Sequence, residues 1–411
     1  MKQYVICLFA VVMCHLGCQA QVFDRYFNDA TLRLDYVFAG NADRQDIFLH
    51  QLNVMPRWYG KTSRLSEVPM EGNGQVIVRD HHSKEVIYRN SFSTLFQEWL
   101  SYDEAKTTSR SFENVFLVPM PKDTVDITVL LNDNRRQVMT SMTHQVVPAD
   151  ILIRHIGDVT TPYETLVSAD DPDHAIDIAF VAEGYTEDEM PTFIADCQVA
   201  VDAIFDHEPF RSMRSRFNVI AVKAVSEDSG TSEPGRAIWR HTALGSHFDT
   251  FYSDRYLTTL NLFDLHDCLA GTPYEHIIVL VNTARYGGGG ILNSYNLAAT
   301  HHPKYRPVVV HEFGHSFAGL ADEYAYDTEE IPMYPHDVEP WEANITTRVD
   351  FASKWQDVIG HDDIGLFEGA GYSPKGVYRP CADCRMRTNE HPEFCPVCRQ
   401  AVQKVIDFYT H

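Results

Sequence analysis

The sequence predicts a two-domain α+β protein, with a β-sandwich-like N-terminal domain followed by an α/β domain. Three observations carry that prediction. Residues 22–155 alternate apolar and polar in strand fashion, with Gly- and Asn-bearing turns between the runs. From Ile176 onward, short apolar runs alternate with segments of helical spacing. Residues 311–315 read His-Glu-Phe-Gly-His, a motif with its own helical geometry. The chain has 411 residues, 44% hydrophobic and 22% charged, which is globular composition and long enough for two cores.

Residues 1–20 read as a signal peptide. Lys2 is their only charge, Val5 to Met13 is apolar, and Cys18-Gln19-Ala20 ends in small-x-small before Gln21. The apolar stretch is too short to span a membrane, and no other run approaches that length. Leu16-Gly17-Cys18 is half a lipobox, so lipoprotein anchoring through Cys18 is the alternative to release. Either way the chain is expected to be exported: periplasmic, cell-surface or secreted. The formal net charge is −23 and becomes one unit more negative when Lys2 leaves with the leader. Such a surface repels phosphate backbones and argues against nucleic acid as a partner.

Within the domain expected over 21–155, Thr31–Phe38, Gln75–Val78 and Val125–Leu131 are the clearest strands, and no chemistry is legible there. Residues 156–174 hold Gly, Pro, Ser and four aspartates and read as a linker to a second domain over 175–411. There, Ile176–Ala182, Phe217–Val222 and His276–Val281 read as strands, and Glu187–Phe205 as a helix. Val402, Val405, Ile406 and Tyr409 have the spacing of a closing helix. The run Tyr286–Gly290 is Gly-rich but lacks the Lys-Ser/Thr of a phosphate loop. After it, Ile291–Leu297 is expected as an edge strand to which an extended peptide can pair.

The chemistry concentrates in residues 311–324. In a helix, His311 and His315 lie one turn apart on one face and can grip one Zn²⁺. Glu312 is rotated about 100° around the helix and can act on a water at the metal as general base. Gly319 offers a helix stop, and Asp322-Glu323 follows where a third ligand is needed. Asp322 is the first choice and Glu323 its competitor; Glu329 or Glu342 would mean another subclass of zincin. Tyr324, Tyr378, Arg387 and His391 are candidates for a second electrophile at the oxyanion. Met386 stands where a methionine turn beneath the metal is expected.

Three of the nine cysteines fall in the leader. The last four, Cys381, Cys384, Cys395 and Cys398, form C-x2-C-x10-C-x2-C, which suits either disulfides or a second, structural zinc. The oxidising compartment favours disulfides.

The segment His311–Tyr324 resembles the active-site signature of the IgA peptidase family of metzincin-like zinc metallopeptidases. Ala182–Thr186, Ser226–Thr231, Trp341–Thr346 and Phe394–Arg399 resemble further stretches of that family, so the likeness spans about residues 176–400. It implies a secreted bacterial endopeptidase of zincin fold with one catalytic zinc, held by His311, His315 and Asp322, with Glu312 as the catalytic acid. It also implies an N-terminal β domain and protein or glycoprotein substrates, immunoglobulin A among them. Unlike ordinary metzincins, the third ligand is an Asp seven residues after the second His. The competing reading is a cell-surface glycan- or protein-binding protein with a vestigial metal site.

Overall fold

The computed structural model describes residues 22–327 and 333–410. The leader at 1–20 and Glu329 lie outside the described residues.

Two four-stranded sheets make the N-terminal part. One orders its strands Arg110–Pro121, Phe27–Gly40, Gln45–Pro56 and Arg154–His155; the other Val86–Phe92, Gly74–Asp80, Val125–Asn132 and Val138–Val146. The alternation in Val125–Asn132 sends Val125, Ile127, Val129 and Leu131 inward. They meet Leu32, Leu34, Tyr36 and Phe38 of the facing sheet in one core. Phe92 and Phe116 pack with ring centroids 4.2 Å apart.

The outer face of Phe27–Gly40 is not solvated. Arg33 is buried, pairs with Asp35 at 2.7 Å, and reaches Asp267 at 2.5 Å and the Phe263 carbonyl at 3.2 Å in the second domain. Its five N–H donors suit this fork of acceptors, and the contact docks the sandwich onto the helix Leu262–Leu269.

The second domain is built on a six-stranded sheet. Its order is Gly288–Ile291, Tyr295–Ala299, His276–Val281, Ile176–Glu183, Phe217–Val222, Tyr163–Val167. The four inner strands are parallel and both edges antiparallel. Burial on both faces explains why Ile176–Glu183 reads as an unbroken apolar run. One face takes Ile178, Phe180 and Leu280 against the helices Met190–Phe205, Tyr305–Ala318 and Pro396–Tyr409. The other takes Ala179, Val181 and Val279 into the same core as the sandwich.

Two expectations are corrected here. Residues 156–174 are not only a linker, because Tyr163–Val167 is the far edge strand of this sheet. The edge strand beside the 305–318 helix is Gly288–Ile291, not Ile291–Leu297. The latter span holds a tight turn, with Asn293 at φ 49°, and the start of an interior strand. No helix among the described residues is long and apolar enough to cross a membrane.

Candidate metal and active site

The helix Tyr305–Ala318 carries the two histidines and ends at Gly319, which adopts φ 58°. The amides of Gly319 and Leu320 donate to the carbonyls of His315 and Gly314 at 3.0 and 3.2 Å, closing the last turn. A side chain at Gly319 would collide with Trp341, whose ring lies 2.6 Å from an added Cβ. The chain then doubles back and brings Asp322 under the histidines.

His311 Nδ1 faces the Arg385 carbonyl at 3.0 Å and His315 Nδ1 the Leu320 carbonyl at 2.5 Å. With a proton on each Nδ1, both Nε2 atoms keep a lone pair. These two nitrogens are 3.1 Å apart. Asp322 Oδ1 lies 3.0 Å from His311 Nε2 and 3.4 Å from His315 Nε2, yet it is buried and accepts no hydrogen bond. With both imidazoles neutral, three electron-pair donors this close are suited to share one cation. A tetrahedral zinc with bonds of about 2.0–2.1 Å spaces its ligand atoms roughly 3.3–3.4 Å apart, which is the size of this triangle. Electrostatics agree. Burial opposes charge on His315, but Asp322 and Glu312 lift its pKa to about 9. The residues therefore fit a zinc ion.

The other oxygen, Asp322 Oδ2, accepts from Tyr372 Oη at 2.5 Å, and the Gly371 amide donates to the Asp322 carbonyl at 2.9 Å. Glu323 points the opposite way, toward Cys384, Cys395 and Cys398, and is not at the histidines. Glu342 accepts from Tyr334 at 3.1 Å and also stays apart from them. Met386 is fully buried beneath the helix, so close that an added Cβ on Gly314 would lie 2.7 Å from its sulfur. The six described cysteines are unbridged in this structure, and Cys381, Cys384, Cys395 and Cys398 are all buried.

Glu312 clusters with the histidines and opens onto a cleft of about 740 Å³. Burial raises its pKa, although both histidines pull it down. The glycine run crosses directly above. An added Cβ on Gly288 would lie 2.6 Å from Glu312 Oε1, and one on Gly290 2.4 Å from the Glu312 carbonyl. The glycines are there for close approach of strand to helix. Gly290→Ala is therefore expected to destabilise the fold by about 1–3 kcal/mol, the usual overpacking cost, as read by denaturant unfolding. An unchanged midpoint would mean the strand is free to move.

Tyr324 and Arg387 line the cleft, while Tyr378 and His391 do not. Sequence reasoning missed Tyr372, Arg255 and Glu98. Arg255 lies over the Tyr326 ring, 6.0 Å from its centroid, and hydrogen-bonds its hydroxyl. Glu98 brings the N-terminal domain, where the sequence showed no chemistry, into the wall of the cleft. It extends from the helix Leu95–Trp99 into the cleft wall and accepts from Tyr256 at 2.6 Å. Thr94 caps that helix through the Gln97 amide at 3.2 Å, a signal that was legible in Thr94-x-x-Gln97.

Burial pushes the Glu98 pKa up to about 7. A folded pKa above the unfolded value means stability is fully present below about 4.3 and is lost as pH rises through 7. Glu98→Gln should therefore stabilise the metal-free protein more at pH 8 than at pH 5, measured by urea unfolding at both values. Equal effects would show that the carboxyl is solvated.

The chain matches the family model described as IgA Peptidase M64 over residues 165–364 and 360–406. It matches the one described as Peptidase M64 N-terminus over residues 22–143. No curated protein matches it.

Proposed function

The chain belongs to the IgA Peptidase M64 family and is a peptidase, and from that premise we propose an exported zinc-dependent endopeptidase of zincin fold. Its substrates are proteins or glycoproteins, with immunoglobulin A one candidate. We take the catalytic domain to begin at Tyr163, ahead of the 175 boundary read from the sequence, because that strand belongs to its sheet.

The observation that carries this reading is the convergence of His311 Nε2, His315 Nε2 and Asp322 Oδ1. A zinc ion held there supplies a Lewis acid for the peptide carbonyl and acidifies water. Glu312 takes the proton of the attacking water and returns it to the departing amine. Its raised pKa suits a group that must both accept and release a proton near neutral pH. Tyr324, on the cleft wall, donates to the developing oxyanion. Met386 supports the helix from below, as the methionine turn does in metzincins. The substrate backbone lies extended along Gly288–Ile291, adding to the sheet edge.

The deciding experiment pairs metal analysis with cleavage mapping. The wild-type chain is expected to contain one more equivalent of zinc than His311→Ala/His315→Ala. It should cut a denatured protein at internal bonds, as seen by mass spectrometry of the fragments. Equal metal content in the two proteins would remove the site, and release of terminal residues alone would make the enzyme an exopeptidase.

A further inference from the structure

We propose that Cys384, Cys395, Cys398 and Glu323 form a second, structural zinc site directly behind the catalytic one. Their ligand atoms all lie within 4.8 Å of one another, and all four residues are buried.

The distances are those of a coordination shell rather than a bridge. Cys384 Sγ and Cys398 Sγ are 3.8 Å apart. A disulfide would bring them to about 2.05 Å, whereas zinc–sulfur bonds of about 2.3 Å at tetrahedral angles give an edge of roughly 3.8 Å. Glu323 Oε1 lies 3.1 Å from Cys398 Sγ and 4.0 Å from Cys395 Sγ. A mixed sulfur–oxygen edge is about 3.5 Å, midway between them.

The surroundings are arranged for anionic sulfur. The Cys395 amide donates to Cys384 Sγ at 3.2 Å. The Cys398 amide donates to Cys395 Sγ at 3.5 Å, so that thiol caps the 14-residue helix Pro396–Tyr409, where negative charge is favoured. Glu323 supplies an independent sign. Its side chain is 0% exposed, and Oε2 has no hydrogen-bond partner. Oε1 accepts from Asn344 Nδ2 at 3.0 Å. A carboxylate buried to this depth, with Oε1 against the sulfurs of Cys398 and Cys395 and Oε2 left without a partner, is costly unless a cation shares the space.

Cys381, the fourth cysteine of the motif, is a neighbour of Cys395 but stands outside the compact set. The C-x2-C-x10-C-x2-C spacing alone would have made it the fourth ligand. Glu323 takes that place because Asn344 pins its segment, exchanging hydrogen bonds with the Ala321 backbone at 2.8 and 2.9 Å. Binding converts the three thiols to thiolates and releases their protons to solvent.

The site also ties together the segments that build the catalytic centre. The Glu323 amide donates to the Met386 carbonyl at 2.8 Å. Arg385, between Cys384 and Met386, presents the carbonyl that faces His311 Nδ1. One ion thus joins the chain around Asp322, the turn beneath the helix and the start of the C-terminal helix.

The test uses the full mature chain carrying His311→Ala/His315→Ala, so that its result is independent of the catalytic reading. One equivalent of zinc per chain is expected to remain, and its X-ray absorption spectrum should fit three sulfur scatterers and one oxygen. A chain without metal overturns the proposal, and so does a shell of four sulfurs. In the same background, Cys381→Ser should keep the equivalent and Glu323→Gln should lower it toward zero. The reverse pattern would hand the fourth position to Cys381. Should Glu323→Gln fail to fold, thiol alkylation of the denatured, chelator-treated parent decides. All four C-terminal cysteines should be modified without reductant, and any bridged pair among them overturns the assignment.

Discussion

Glu312→Gln is expected to lower kcat/KM on a protein or peptide substrate by roughly 10²- to 10⁴-fold, the usual contribution of a positioned acid–base group, while zinc content stays that of wild type. The expectation follows from position. Glu312 clusters with His311 and His315, but its carboxylate faces the cleft beneath Gly288, where an added Cβ would lie 2.6 Å from Oε1. On the proposed reading it serves water, while His311, His315 and Asp322 hold the ion. Gln keeps the shape and loses only the ability to take a proton, so the loss should fall on kcat. Near-normal hydrolysis by this variant would remove Glu312 from the chemistry. Loss of zinc along with activity would make it a ligand instead.

The legible part of this site is the part written in one local run. His311, Glu312 and His315 are fixed by the 3.6-residue period of the helix, and Gly319 by the positive φ that ends it. Asp322 follows because a chain that must double back has few residues in which to do so. Tyr372, Arg255 and Glu98 were not legible, because each comes from a distant segment and sits in a turn, a loop or a five-residue helix with no period of its own. Their roles depend on long-range docking, above all that of the sandwich carrying Glu98.

The glycine run misled for a related reason. Strand alternation is read from side chains, and Gly288–Ile291 has almost none, so the span resembled a loop beside a strand. Its composition is nevertheless explained by the Glu312 backbone passing beneath Gly290. Glu323 was judged a rival to Asp322 because the two are adjacent. In a non-helical segment, adjacent side chains point to opposite sides, and so one reaches the histidines and the other the cysteines. The cysteine spacing alone left disulfides and a metal both open, because it says nothing about Glu323, a buried carboxylate 61 to 75 residues before Cys384 and Cys398 in the chain. The strand assignments fared well where the alternation was clean, as in Val125–Asn132. Arg33 and Asp35 obeyed the alternation too, but their outward face is an interface.

The second large effect separates a ligand from its support. Tyr372→Phe removes only the hydroxyl that donates to Asp322 Oδ2 at 2.5 Å. It should weaken zinc binding at the histidines by about 10- to 100-fold, the cost of losing an outer partner of a metal ligand. Asp322→Ala removes Oδ1 itself, the buried oxygen 3.0 and 3.4 Å from the two imidazole nitrogens. Its loss of affinity should exceed that of Tyr372→Phe, because two neutral imidazoles remain where a charged third donor completed the set. Competition with a chromophoric chelator measures both. It should be run on protein with Cys398→Ser as well as on the parent, so that the two sites are counted apart. Equal losses in the two variants would mean that Asp322 acts by orienting the histidines rather than by binding the ion. A larger loss at the histidines from Glu323→Ala would reassign the third ligand, against the opposite orientation of the two carboxylates.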